Sequence, residues 1–231
     1  MLRPAGFQLS KIYAVGDVHG CLDQLQGLVE LCERDAGEGR SKFVFLGDYI
    51  DRGPESRGVI EFLMDLQKWS PDEIICLRGN HEELLLGALE GEDAELNWRQ
   101  NGAKFTLESY QASTPGDIPL RHIDWIRSLP LFHEDGMRFF VHAGVHPDRS
   151  LHQQRPRDLL WIREPFLSSN KDFGRLIVHG HTPIFSGVPD QRTNRLNIDT
   201  GAVYGRPLTA AVFNTRIAAP VQFFSADPIL N

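Results

Sequence analysis

Apolar positions along the chain follow two alternating patterns. Lys11-Ile12-Tyr13-Ala14-Val15, Lys42-Phe43-Val44-Phe45-Leu46 and Glu73-Ile74-Ile75-Cys76-Leu77 are short, nearly continuous apolar runs. Such runs predict strands buried on both faces. Between them, Leu22, Leu25, Leu28, Val29 and Cys32 recur at helical spacing. Pro54 opens a second amphipathic stretch filled by Val59, Ile60, Leu63 and Leu66, and residues 81–89 form a third. Strand, loop and helix in repeated order predict parallel pairing with crossover helices. The loops at the carboxyl ends of such strands converge on one edge of the sheet.

The stretch Glu90 to Leu120 breaks this rhythm. It is polar, with Gly91, Gly102, Pro115 and Gly116 and weak periodicity, and reads as helix pieces and loops capping that edge. Residues 117–129 suggest one more short helix, stopped by Pro130. Beyond it, residues 137–141, 175–178, 195–198, 208–213 and 221–224 are short strand candidates, expected to build a second sheet packed on the first. No linker or repeat interrupts the 231 residues, so a single α/β domain spanning 1–231 is expected.

Hydrophobic content of 41% and charged content of 24% are ordinary for a globular chain. A net charge of −7 argues against a broad nucleic-acid-binding face, which needs clustered Lys and Arg. Cys21, Cys32 and Cys76 make an odd number with no CxxC pair, which suits core thiols in a reducing compartment. No apolar run approaches the roughly 20 residues that span a bilayer, and residues 1–11 lack an apolar signal core. A cytoplasmic protein without membrane or nucleic-acid partners is the expectation.

The chemistry lies where the apolar runs end. Gly16-Asp17-Val18-His19-Gly20 follows the first, Gly47-Asp48-Tyr49-Ile50-Asp51-Arg52-Gly53 the second, and Gly79-Asn80-His81-Glu82 the third. His142-Ala143-Gly144 and His179-Gly180-His181-Thr182 follow later runs. Each residue alone is a weak signal, because Asp after a strand is commonly a turn former. Together they bring carboxylates, imidazoles and a carboxamide to successive strand ends, a set able to hold two divalent ions side by side. In extended backbone, Asp17 and His19 would point the same way. Asp48 has two oxygens with which to bridge two ions. Mixed carboxylate and imidazole donors favour Mn²⁺, with Fe or Zn²⁺ as alternatives, over Ca²⁺.

These motifs resemble the calcineurin-like metallophosphoesterases, and within them the bacterial and phage branch of the phosphoprotein phosphatases. That family shows GDxHG, GDxxDRG and GNHE in this order, then an HAG-like block and a GH block. The likeness spans residues 12–204. It implies a four-layer α/β/β/α sandwich of two mixed sheets, with a dimetal site at the carboxyl ends of the strands. It implies that Asp17, His19 and Asp48 hold one metal, and that Asp48, Asn80, His142 and His181 hold the other. Arg52 and Asn80 would meet the substrate phosphoryl group. His81 would be the general acid, oriented by Asp51. Arg163, in Leu159-Leu160-Trp161-Ile162-Arg163, resembles a further phosphate-binding arginine of phage-type enzymes. His179 is expected behind the ligands, and Tyr204 either at the substrate mouth or packed. In the implied reaction, a hydroxide bridging two metals attacks phosphorus in line.

The expected enzyme is a phosphoric monoester hydrolase of the serine/threonine protein phosphatase kind, with a phosphorylated protein or a small phosphoester as its partner. The alternative is a diadenosine tetraphosphatase or another nucleotide pyrophosphohydrolase on the same fold. Asp51-Arg52-Gly53 and Glu82 favour the first. The oligomeric state stays open.

Overall fold

The computed structural model describes residues 9–228. Its elements are β1 (Leu9–Val15), α1 (Leu22–Ala36), β2 (Arg40–Phe45), α2 (Ser56–Trp69), β3 (Ile74–Cys76), α3 (Asn80–Ala88), α4 (Glu92–Trp98), α5 (Lys104–Tyr110) and α6 (Leu120–Ser128). The second half adds β4 (Phe132–Glu134), β5 (Arg138–Val141), α7 (Pro156–Trp161), β6 (Leu176–His179), β7 (Asp190–Gln191), β8 (Arg195–Asn197), β9 (Leu208–Phe213) and β10 (Gln222–Ala226).

Two five-stranded mixed sheets result, ordered β10-β9-β1-β2-β3 and β4-β5-β6-β8-β7. β1, β2 and β3 pair in parallel, as do β5, β6 and β8. Side-chain alternation sorts the apolar runs between layers. Tyr13, Val15, Phe43 and Phe45 join α1, α2 and α3 residues in one core. Ile12, Ala14, Val44 and Leu46 face Phe140, Val178, Leu196 and Ile198 of the second sheet in another. Phe139, Val141 and Ile177 point outward beneath Leu159, Ile162 and Phe166. The layers are therefore α/β/β/α, with α7 and neighbouring loops covering the second sheet.

Two features depart from the sequence expectation. β9 and β10 extend the first sheet through antiparallel pairing of β9 with β1, instead of joining the second. β9 is buried on both faces, with Ala210 and Val212 toward the helices and Ala211 and Phe213 toward the other sheet. An apolar run of that kind fits beside either sheet, and pattern alone does not choose. β4, β7 and α7 had no signal in the sequence; six residues or fewer are too short for periodicity to register. Among the described residues no helix is long and apolar enough to cross a membrane.

Candidate functional site

The motif loops leave the carboxyl ends of β1, β2, β3, β5 and β6 and meet at one edge. The backbone there is unusual. His19, Asp48, Asp51, Arg52 and His181 all carry positive φ, at 45°, 52°, 70°, 68° and 66°. Left-handed backbone costs an ordinary residue on the order of 1 kcal/mol or more, so neighbouring contacts must hold it. The extended spacing expected for Asp17 and His19 is thus replaced by a left-handed step at His19. Glycines make the close approach possible. A Cβ on Gly47 would come within 2.5 Å of the Gly79 nitrogen, and one on Gly180 would collide with the Asp17 carboxylate.

Two groups of ligand atoms lie within 4.8 Å of one another: His19, Asp48 and His81, and Asp48, His142 and His181. Asp48 is common to both. Asn80 Oδ1 lies 2.8 Å from His142 Nε2 and 2.7 Å from His181 Nδ1, and those two nitrogens are 3.2 Å apart. Asp17 stands beside them, both oxygens accepting the His181 N–H at 3.1 and 3.2 Å. The six sequence-expected ligands are all buried.

The donor set fits cations. His142 Nδ1 lies 3.0 Å from the Leu46 carbonyl, which can only accept, so the proton sits there and Nε2 presents a lone pair. That lone pair faces the Asp48 carboxylate at 3.4 Å. Turning the Asn80 amide would not relieve this, because a carboxylate only accepts. His19 has the same tautomer, Nδ1 donating to the Ile50 carbonyl at 2.8 Å, but its Nε2, 3.4 Å from Asp48 Oδ2, already accepts from the Arg52 guanidinium at 2.9 Å. Lone pairs turned on carboxylate oxygens repel each other unless a cation stands among them.

Electrostatics agree. Burial, with His81 nearby, lowers His19 to about 3, and burial beside His142 does the same to His181. Burial also lowers His142. All three imidazoles are neutral and ready to ligate. Asp17 is raised by burial and by Asp199 and Asp48, and Asp199 is pushed by burial up to about 7. Buried carboxylates this crowded call for positive charge.

The acid candidate, His81, belongs to the first of these groups. His81 Nδ1 lies 2.7 Å from Asp51 Oδ2. Its Nε2 is buried, without a hydrogen-bond partner, 4.0 Å from Asp48 Oδ2. Burial disfavours the imidazolium, but Asp48 and Asp51 outweigh it and raise His81 overall. Arg52 Nη1 approaches His19 Nε2 at 2.9 Å. Arg163 is exposed, and its charge reaches His181 and Asp199. His179 lies under the Phe166 ring, centroids 5.0 Å apart, with burial lowering it to about 3. Tyr204 is half exposed and touches Phe185.

Four residues carry contacts that sequence reasoning did not assign to them. Glu82 accepts backbone N–H groups of Asp48, Tyr49 and Gly79. Trp98 and Thr106 donate to Asp51. Asp199, one step past Ile198 beyond β8, is buried against Asp17. Its signal was the same as for Asp17 and Asp48, a carboxylate closing an apolar run.

The calcineurin-like phosphoesterase family model matches residues 10–207. The chain is 37% identical over 62% of its length to a symmetrical bis(5'-nucleosyl)-tetraphosphatase of Nitrosospira multiformis, but spans 46% of that protein, about half. It is 30% identical to serine/threonine-protein phosphatase 1 of Salmonella typhimurium, covering 87% of this chain and 90% of that one. It is equally identical to an asymmetrical bis(5'-nucleosyl)-tetraphosphatase of Bacillus thuringiensis, covering 85% and 87%. A solved structure proposed to be a diadenosine tetraphosphatase superposes with a TM-score of 0.73 at 22% identity over 99% of this chain and 97% of that one, a likeness of fold.

Proposed function

We propose that the chain, which belongs to the calcineurin-like phosphoesterase family, is a metal-dependent phosphomonoesterase that removes phosphate from serine or threonine side chains of proteins. One observation carries this reading. His81 Nε2 is an unpartnered buried atom within the His19, Asp48 and His81 group, and Asp51 fixes the opposite ring nitrogen. A serine or threonine alkoxide must be protonated as it leaves, whereas a nucleotide phosphate leaves as a stable anion. A held imidazolium is what the first departure needs.

Asp17, His19, Asp48, Asn80, His142 and His181 would hold two divalent ions, which supply a nucleophile at neutral pH and offset phosphoryl charge. Arg52 binds the phosphoryl oxygens through its planar guanidinium, with Arg163 as an outer clamp and Asn80 beside them. As the ester P–O bond breaks, its electron pair goes to the serine or threonine oxygen, which takes the proton from His81 Nε2. Asp51 remains a carboxylate throughout and keeps Nδ1–H aimed.

The tetraphosphatase relatives favour a second reading, hydrolysis of dinucleoside polyphosphates at the same centre. The deciding experiment compares phosphate release from a phosphoserine/phosphothreonine peptide with cleavage of diadenosine tetraphosphate, with Mn²⁺ and then with chelator. Rapid, chelator-sensitive release from the peptide supports the first reading. Preference for the dinucleotide replaces it with the second.

A further inference from the structure

Asp51 and Arg52 are consecutive residues in left-handed backbone, φ 70° and 68°, and neither is glycine. Two such steps in succession persist only where surrounding contacts fix them. Besides the Ser56 hydroxyl of α2, which accepts the Asp51 N–H at 3.1 Å, those contacts come from the stretch between α3 and α6. Trp98 Nε1–H donates to both Asp51 oxygens, at 2.9 and 3.2 Å. Thr106 Oγ donates to Asp51 Oδ1 at 2.6 Å and lies 2.9 Å from the Asp51 N–H. Trp98, Thr106 and Asp51 are all fully buried.

Midway between Trp98 and Thr106, Gly102 meets Arg52. The Arg52 N–H donates to the Gly102 carbonyl at 3.2 Å. Gly102 has φ +104°, and a Cβ there would stand 2.8 Å from Arg52 Cγ and 3.0 Å from its nitrogen. The helical path from α4 to α5 breaks at this glycine, whose φ of 104° and ψ of 10° lie outside helical backbone. Positions 98, 102 and 106 thus present an indole N–H, a bare backbone and a hydroxyl to one two-residue turn.

We infer that Trp98, Gly102 and Thr106 are positioning residues that divide the work of that turn: Trp98 and Thr106 aim the Asp51 carboxylate at His81, and Gly102 seats Arg52 for the phosphoryl group. The inference rests on the acid and clamp roles proposed above. The polar stretch after α3 is then the back wall of the acid and the clamp. A carboxylate with three donors in fixed directions has one orientation, and His81 inherits it. Remove the indole N–H or the hydroxyl, and the carboxylate can rotate in its pocket.

The test uses the Mn²⁺-loaded full chain, with a phosphoserine peptide as the alkyl ester and p-nitrophenyl phosphate as the aryl ester. Nitrophenolate leaves without a proton, so a misaimed acid is felt by the alkyl ester alone. Trp98→Phe and Thr106→Val should each lower the alkyl-to-aryl ratio of kcat about tenfold with KM little changed. Thr106→Ser, which keeps the hydroxyl, should restore the ratio. Gly102→Ala should instead raise KM for both esters about tenfold and leave the kcat ratio alone. Equal loss on both esters in Trp98→Phe and Thr106→Val, or no rescue by Thr106→Ser, overturns the inference. Asp51→Asn separates the two levels. If it fails to lower the ratio, the acid reading itself falls. If it lowers the ratio and Trp98→Phe and Thr106→Val do not, the positioning inference alone falls.

Discussion

The Glu82 carboxylate accepts the backbone N–H of Asp48 at 2.9 Å and so holds the bridging candidate of the site in its left-handed turn. The same carboxylate takes the Tyr49 and Gly79 N–H groups, each at 2.8 Å. One side chain at the start of α3 therefore ties the loop after β2 to the loop after β3. With the Ile50 N–H at 3.4 Å, Glu82→Ala leaves four buried donors unpaired. The expected cost is about 4 kcal/mol or more, at about 1–3 kcal/mol for each orphaned group. Denaturant unfolding measures it, and Mn²⁺ titration should show weakened binding as the Asp48 turn relaxes. Unaltered stability would mean that water replaces Glu82 without loss.

His81→Ala should keep both metals and lose most turnover on alkyl phosphate esters, about 100-fold or more. Loss on p-nitrophenyl phosphate should be much smaller. Metal content checks that the centre survives, and steady-state kinetics on the two esters gives the split. Unchanged kcat on the alkyl ester would remove His81 from the reaction.

Metal should also stabilise the fold. Ligands whose lone pairs face one another gain most from a cation, and binding to the folded state alone adds about 2.7 kcal/mol at a concentration 100 times Kd. The melting temperature should rise with Mn²⁺ and fall with chelator. His142→Ala removes an imidazole nitrogen 3.2 Å from His181 Nδ1. It should bind one Mn²⁺ equivalent fewer and show a smaller rise. Two equivalents bound as tightly as before would exclude His142 as a ligand.

Much of this site was legible because its residues sit where apolar runs end. Asp17, Asp48, Asn80, His142 and His181 each follow a strand or its loop, and parallel pairing brings those ends together. The back of the site was not legible. Trp98 and Thr106 lie in a polar stretch without periodicity, and their bonds to Asp51 span 47 and 55 residues of sequence. Glu82 was visible as part of a motif, but its role belongs to backbone N–H groups, which carry no sequence signal. The strand order failed for the same physical reason: β9 buries both faces and pattern cannot say which sheet receives it.

Asp35 offers a pH test away from the metal centre. Lys11 Nζ lies 2.7 Å from its Oδ1, and the buried Tyr13 hydroxyl donates to its Oδ2 at 2.7 Å. Partial burial pushes the Asp35 carboxyl up, but Lys11 and Tyr13 outweigh it, and the net shift is down from 3.8. A carboxyl lowered in the folded state stabilises fully above its unfolded pKa and loses that contribution as pH falls through the folded value. Asp35→Asn lacks the charge at every pH. It should therefore be less stable than the parent by about 1 kcal/mol at pH 7, the scale of a partly exposed pair. The gap should begin to narrow below about pH 4 and close once pH has fallen through the lowered folded value, where both chains present a neutral group. Urea unfolding at a series of pH values reads the difference. A gap that persists unchanged into acid would assign the effect to packing instead of charge.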